Sequence, residues 1–414
     1  MALSSYRITT NGVFRNYRTN LSKNNKRLND TMTDVQTQRK FNTYAEDPAA
    51  ASKAFRLRRN YWLTNDQIDT NNFLISKYES AYTAMGAVVD GDAEHPGLDG
   101  ILASIEGLNG AAGASRTALG RELVSTSESI VSMMNSKYAD DFIFAGADGE
   151  NLPFEWSTDG NGKPALTYRG IDVSTPRTDF KSADSDFPLK TLQGSAALTK
   201  TEYQAATGKT LTDAEYVDYQ STYTKYNDAK TAYETEHPGY KFEDAVKLND
   251  MANETMYVDI GLGMQEDDSG KIVRGSAFNS SVSGLSFLGY GEDKNLAVIV
   301  RELGEIFSAA DPETGNYRTG KDEERASELL TKLHDAVRYS QGQHVQLSAD
   351  AHYLRTNLEQ LNTVKDELNT QIMDTESMDA AEAITEMSWA QYCYNAALRI
   401  GTNILSNSLI DYMS

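Results

Sequence analysis

Apolar residues recur with a 3-4 spacing toward both ends of the chain and lose that period in between. Phe14, Tyr17, Leu21, Leu28 and Val35 form a heptad stripe, with polar Asn24 and Thr31 at two seam positions and Met32 beside it. The stripe predicts an amphipathic helix, either packed in a core or acting as one strand of a coiled coil. A loop over Lys40–Glu46 follows. Asp47-Pro48 then reads as a helix start, because Asp accepts from free amides at an N-cap and Pro suits the first helical position. The helix it opens is predicted to reach about Val89 through Ile68, Ile75, Tyr78, Tyr82, Met85 and Val89. Some forty helical residues span roughly 60 Å, more than a small compact core needs. Gly91, His95-Pro96-Gly97 and Gly100 read as its stop, and a further helix is expected over Leu119–Tyr138. In the last third, Leu347, Ala351, Leu354, Leu358, Leu361, Leu368 and Ile372 make a long seam with Lys365 as its polar position. A second stripe follows Asp374–Asp379: Ile384, Met387, Tyr394, Leu398, Leu405, Leu409 and Tyr412.

The middle of the chain reads differently. Phe154–Trp156 and Ala165–Val173 flank Asp159-Gly160-Asn161-Gly162, the pattern of a hairpin with a glycine-rich turn. Met256–Met264 and Lys271–Phe278, joined across Asp267-Asp268-Ser269-Gly270, predict a second hairpin. Between them Tyr216, Tyr219, Tyr223, Tyr226 and Tyr233 share one helical register. Core packing is the favoured reading of that tyrosine face, and a carbohydrate- or partner-binding stripe is the alternative. The expected fold is mainly α with an inserted β-containing domain, its long N- and C-terminal helices forming an antiparallel coiled coil or helical bundle. The expected division is 1–40 with 380–414 as a terminal coiled-coil assembly domain, 41–150 with 290–379 as a helical bundle, and 151–289 as an outward-facing insertion with a helical part near 200–240.

Charge narrows the function classes. The 414 residues carry a formal −21, which argues against a nucleic-acid partner because phosphate contacts need clustered Lys and Arg. The charge is uneven. Residues 1–60 hold twelve Lys/Arg against four Asp/Glu, a net of +8, whereas 347–414 hold three against ten, a net of −7. Two helical ends of opposite sign suggest mutual attraction, within one chain or between neighbours. No apolar run reaches 18 residues, so no membrane span is expected. The first twenty residues lack an apolar stretch and a small-residue cleavage site, so no cleaved signal peptide is expected.

Candidate chemistry is sparse. Cys393 is the single cysteine, which excludes an intrachain disulfide, and it reads as a small packing residue. The five histidines have no ligand-like spacing, so neither metal nor cofactor is expected. Gly315-Asn316-Tyr317-Arg318-Thr319-Gly320-Lys321 fits the first seven positions of a P-loop, but Asp322 stands where Ser or Thr must hold magnesium. The segments at Asp159 and Asp267 faintly resemble calcium loops and lack the twelfth-position Glu. No enzyme is expected.

Taken in order, several short motifs resemble those of the flagellin superfamily, and more closely its hook–filament junction members. Arg7-Ile8-Thr9-Thr10 resembles the family opening. Glu46-Asp47-Pro48-Ala49-Ala50-Ala51-Ser52 is similar to its acidic-Asp-Pro motif, with Asp47, Pro48 and Ser52 matching. Phe142-Ile143-Phe144-Ala145-Gly146 resembles a Phe-Ala-Gly element, with Phe144 and Gly146 matching. Asp259–Gly263 and Ala277-Phe278-Asn279 resemble inserted-domain strands, and Asp379-Ala380-Ala381-Glu382-Ala383 the start of the last helix. The resemblance covers about 1–150 and 255–414. The Ser-Ser-Gly and Asp-Asp-Ala-Ala-Gly segments usual in flagellins proper are absent.

The resemblance implies an extracellular structural protein of the bacterial flagellum, exported by the type III apparatus with a cytoplasmic chaperone. Its implied partners are the first hook-associated protein, flagellin, and copies of itself in a ring. The stripes Phe14, Tyr17, Leu21, Leu28, Val35 and Ile384, Met387, Tyr394, Leu398, Leu405, Leu409 are then the expected assembly interface. Residues 1–40 and 380–414 are expected to order only against neighbours, since a short stripe with Asn24 and Thr31 in its seam buries little apolar surface. The alternatives are a filament flagellin, or an adhesin with a coiled-coil stalk and a glycan-binding tyrosine insertion.

Overall fold

The computed structural model describes residues 10–413 apart from 92–96, 108–112, 159–161, 183–184, 186, 195 and 268–270; the side chains of 10–11, 113–114 and 404–413 also lie outside the description. In chain order the elements are α1 (Thr10–Thr37), α2 (Pro48–Val89), α3 (Leu98–Gly107), α4 (Gly113–Met134), β1 (Lys137–Tyr138), β2 (Asp141–Phe142), β3 (Ala145–Gly146), β4 (Phe154–Thr158), β5 (Pro164–Tyr168), β6 (Ile171–Asp172), α5 (Leu189–Leu192), α6 (Lys200–Thr207), α7 (Asp213–Glu236), α8 (Phe242–Ala252), β7 (Tyr257–Val258), β8 (Phe278–Asn279), β9 (Val282–Ser283), α9 (Gly284–Leu288), α10 (Leu296–Ser308), α11 (Gly320–Glu376) and α12 (Ala380–Met413). The chain is mainly helical, with long helices toward both ends and short antiparallel strands between them. No helix among the described residues is long and apolar enough to cross a membrane. Contacts divide it into residues 1–69 with 359–414, and residues 70–358. The boundaries fall inside α2 and α11, rather than at the connections 40/41 and 379/380 where the sequence suggested them.

In residues 70–358, one core gathers Tyr78, Ile101, Leu123, Ile130, Phe144, Phe154, Tyr168, Leu285, Val300, Leu303, Leu333 and Leu354 from the helices and the strands. β3 pairs antiparallel with β9, β4-β5-β6 form a three-stranded sheet, and β1-β2 and β7-β8 are two-residue ladders. The helix expected over Leu119–Tyr138 is α4, and it ends at Met134. Just beyond it, the Asn135 amide donates to Phe154 O (2.8 Å) and accepts from Phe154 N (3.0 Å), which draws the chain off the helix toward β4. The expected hairpin over 256–278 pairs only at its ends, with Tyr257 opposite Asn279, Val258 opposite Phe278, and a bridge between Glu266 and Ile272. Asp259 Oδ1 accepts from Gly261 N at 2.9 Å, so this stretch turns where a strand was expected. The first hairpin gains a third strand, β6. Asp159–Asn161 and Asp268–Gly270 lie outside the described residues, as does Arg7–Thr9.

The P-loop-like segment is a connection between α10 and the start of α11, and several of its backbone groups are already engaged. Gly315 N donates to Asp311 O (2.8 Å), and Asp311 Oδ1 accepts from Glu313 N (2.8 Å) and Thr314 N (3.2 Å). The Arg116 guanidinium donates to Gly315 O and lies 4.5 Å from the centre of the Tyr317 ring. Gly100, read as a helix stop, lies within α3.

Residues 180–246 hold a second core: Phe187, Leu192, Tyr203, Tyr219, Tyr226, Tyr233 and Phe242 are buried together. The tyrosine register therefore turns inward on α7. A buried hydroxyl is costly without a partner, and two of the three buried tyrosines of α7 have one whereas Tyr226 Oη does not. Tyr219 Oη donates to Thr191 O (2.7 Å) and accepts from Leu198 N (3.1 Å), and Tyr233 Oη donates to Pro176 O (2.7 Å). Tyr219→Phe should therefore cost about 1–3 kcal/mol by stranding two buried backbone groups. Tyr223→Phe, which removes an exposed bond to Gly194 O, should cost under ~1 kcal/mol. Urea unfolding of both variants checks the contrast, and equal losses would refute it.

Near the start of α10, Asp293 accepts from Arg325 and Lys332, while Arg325 also forks onto Glu302 at 2.8 Å. Hydrogen bonds from Arg325 hold the Asp293 carboxyl down to about 2. A depressed carboxylate adds stability above its unfolded value near 4 and loses it as pH falls through about 2, here about 2 kcal/mol in all. Asp293 has φ +54°, which Asn also tolerates, making Asp293→Asn a suitable control. Wild type should lose more stability than this variant between about pH 4 and pH 2 in urea titrations. Parallel curves would count against the assignment.

Candidate assembly face

In residues 1–69 with 359–414, α1 and α12 run antiparallel. Tyr17 meets Gly401 at one end of the pair. At the other, Met378 N donates to Gln38 O (3.0 Å), Lys40 N donates to Glu376 O (2.7 Å), and Arg39 bridges Ser377. On α1 the inward side is the predicted seam: Phe14, Tyr17, Leu21, Asn24, Leu28 and Val35 are half-buried and Thr31 is buried. Thr31 satisfies its hydroxyl on its own helix, donating to Arg27 O (3.0 Å) and Leu28 O (3.1 Å).

On α12 the inward side is made of smaller residues than the stripe suggested. Ala383, Ala390 and Gly401 are buried, and Met387, Tyr394 and Ala397 are half-buried. Ile384 and Leu398 point outward. Leu405 and Leu409 lie on α12 with their side chains outside the described residues. The physical reason is fit. A Cβ placed on Gly401 would stand 2.0 Å from Tyr17 Oη, so large rings on α1 demand small residues opposite.

The connection between α1 and α2 is tied by carboxylates. Glu46 accepts from Asn42 N (2.6 Å), Thr43 N (3.3 Å) and Thr43 Oγ1 (2.9 Å), and these bonds, the one from Asn42 N foremost, hold its carboxyl below the usual range. Asp47 Oδ1 accepts from Ala50 N at 2.9 Å, and Pro48 opens α2, so the Asp-Pro pair acts as a helix cap. Ser52 is exposed on the first turns of α2. Arg58 pairs in a fork with Glu376, Nε to Oε1 at 2.6 Å, and this bond lowers the Glu376 carboxyl. Lys365, the polar position in the α11 seam, donates to Asn65 Oδ1 at 2.7 Å. Burial raises the Asp34 carboxyl, reinforced by the nearby charges of Glu46, Asp30 and Glu386.

The remaining motif residues belong to the other unit and are structural in placement. Phe144 is fully buried. Gly146 has φ +74°, and a Cβ there would stand 2.6 Å from Glu254 Oε2, the oxygen that accepts from Ala147 N (3.0 Å) and Arg169 Nη1 (2.8 Å). Only a glycine meets both demands without strain.

Two exposed apolar rows were not anticipated from the sequence. On α2, Phe55 (72% exposed), Trp62 (68%) and Leu63 line a groove of about 410 Å³ with Arg58, Arg59 and Asp66. On α12, Trp389 (58%), Tyr392 (66%) and Ile400 stand outward, the Trp389 and Tyr392 rings stacked at 5.7 Å. The signal was available in part: α2 carries Phe55, Trp62 and Leu63 off the face of Ala54, Leu57 and Ile68, so it is apolar on two sides. Large solvent-facing apolar rows mark contact surfaces.

No protein-family model matches the chain, and no curated protein matches it in sequence. Among solved structures, a Vibrio parahaemolyticus chain provisionally described as a flagellar hook-associated protein aligns with TM-score 0.47 and 12% identity, over 80% of this chain and 100% of that one. A likeness that low does not define a family.

Proposed function

We propose that this protein is a structural axial subunit of the bacterial flagellum that joins hook to filament and assembles through its terminal helices. The observation that carries the reading is the antiparallel pairing of α1 with α12. It joins the two ends of the sequence in one unit and leaves large aromatic and aliphatic side chains on its outside. Removing a Trp, Phe or Leu from water is worth about 1.5–3 kcal/mol each, so stacking subunits through this unit would be strongly favourable. The ordered motifs from Asp47-Pro48 to Asp379–Ala383 support the same reading. Its partners would be the first hook-associated protein, flagellin and further copies of this chain. Export would use the flagellar apparatus and a cytoplasmic chaperone. The glycan-binding alternative loses its surface, because Tyr219, Tyr226 and Tyr233 are buried.

Electron microscopy of flagella from a strain lacking the gene tests the proposal. Intact hooks without filaments, with flagellin shed into the medium, are expected. Normal filaments would refute the junction role.

A further inference from the structure

We infer that the α2 groove of one protomer receives the outer face of α12 from a second copy, in a head-to-tail contact; the inference rests on the axial reading above. On α2, positions 55, 59, 62 and 66 share a helical face, placing Arg59 between Phe55 and Trp62 with Arg56 at its edge. On α12, Glu382, Trp389 and Ile400 share a face, with Tyr392 on one flank and Glu386 on the other. One surface is thus aromatic with its arginines in excess over Asp66, and the other aromatic with Glu382 and Glu386 in excess over Arg399, which lies on the Tyr392 flank.

Arg58 is committed to Glu376, but among the described residues neither Arg56, Arg59, Glu382 nor Glu386 has an ion-pair partner. All four are exposed. The two arginines can also lie over the exposed rings of Trp389 and Tyr392, where a cation is attracted to the ring face.

Charge selects the geometry. Groove against groove sets Arg56 and Arg59 against their own copies, and α12 face against α12 face does the same with Glu382 and Glu386. Both two-fold pairings are opposed by like charge. With Asp66 and Arg399 counted, the unlike pairing is the one that matches the prevailing sign of each surface. Both surfaces are open at once in a single protomer, so they do not satisfy each other within it. A contact between two different surfaces propagates, closing into a ring or running on as a helical array. An axial layer requires that outcome.

Two full-length variants test this, Arg56→Glu/Arg59→Glu and Glu382→Lys/Glu386→Lys, compared with wild type by analytical ultracentrifugation. The substituted positions are exposed, so circular dichroism should match wild type. Wild type should self-associate. Each variant alone should associate roughly tenfold more weakly or worse. An equimolar mixture of the two should recover association, because each acidic groove then meets a lysine-bearing α12 and each basic groove an acidic one. A protein carrying all four substitutions should recover it alone. Unchanged association of the single-sign variants, a mixture no stronger than its components, or a wild type that stays monomeric would each overturn the contact. Failure here with filament loss in the deletion strain removes only the docking assignment. Recovery in the mixture with normal filaments in that strain removes only the axial reading.

Discussion

Phe154→Ala is expected to lower the unfolding free energy by about 3–5 kcal/mol, the upper range for deleting a large core side chain. The ring is buried, stands 4.9 Å from Tyr168, and lies with its edge over Gly284 and beside Phe144. Its surroundings are held too firmly to collapse into the space. The backbone at 154 is pinned in both directions by the Asn135 amide, and Tyr168 Oη donates to Phe144 O at 3.0 Å. The lost contacts are therefore not replaced, and the penalty is the transfer term plus the cavity term. Phe154→Leu, which keeps much of the volume, should cost less than half as much. Chemical denaturation followed by near-ultraviolet circular dichroism measures both. A loss below ~1 kcal/mol for the alanine variant would show that β4 is not anchored as described.

How far such anchoring could be read in advance varied with its range along the chain. The start of α2 was legible because its cause is local: Asp47 caps the helix that Pro48 opens, within four residues. Its end was equally legible, with Gly91 at φ +74° just past Val89. The end of α4 was not, because Asn135 leaves the helix to bond a residue 19 positions on. The stretch 256–278 shows the same limit from the other side. Two segments joined across a glycine-containing turn suggested full strands, and local turns at Asp259 and Gly261 outweighed them. The tyrosines of α7 were legible as one face, and their register alone favoured burial.

The face that pairs α1 with α12 was legible on one helix and obscured on the other. Apolar spacing marks the α1 seam because its residues are large. On α12 hydrophobicity ranks Ile384 and Leu398 above Ala383, Ala390 and Gly401, whereas packing against Phe14 and Tyr17 is decided by shape. The apolar content of α12 is therefore split. Small residues close on α1, and Trp389, Tyr392 and Ile400 remain outside. That split distinguishes a self-contained hairpin from one built to be covered by something else.

The pairing itself has a sharp test at Gly401. Gly401→Ala is expected to loosen the α1–α12 pair. The added Cβ would stand 2.0 Å from Tyr17 Oη, 2.3 Å from Cζ and 3.0 Å from Cε2, so the whole ring must leave its place. Overpacking of this kind costs about 1–3 kcal/mol. At an interior core that cost is absorbed by a large stability reserve, but two helices joined along one narrow seam have little to spare. Opposing this, alanine is a better helix former than glycine by about 0.8–1 kcal/mol, so the net loss is about 0–2 kcal/mol. The clash and the propensity gain separate in a second variant. Gly401→Ala/Tyr17→Leu keeps the propensity gain, removes the collision, and should restore the pairing. Hydrogen exchange across 14–35 and 383–401 reads it directly: protection should fall together on both helices in the single variant and return in the double. If exchange rises on α12 alone, or the double variant stays open, then Tyr17 and Gly401 do not close the pair.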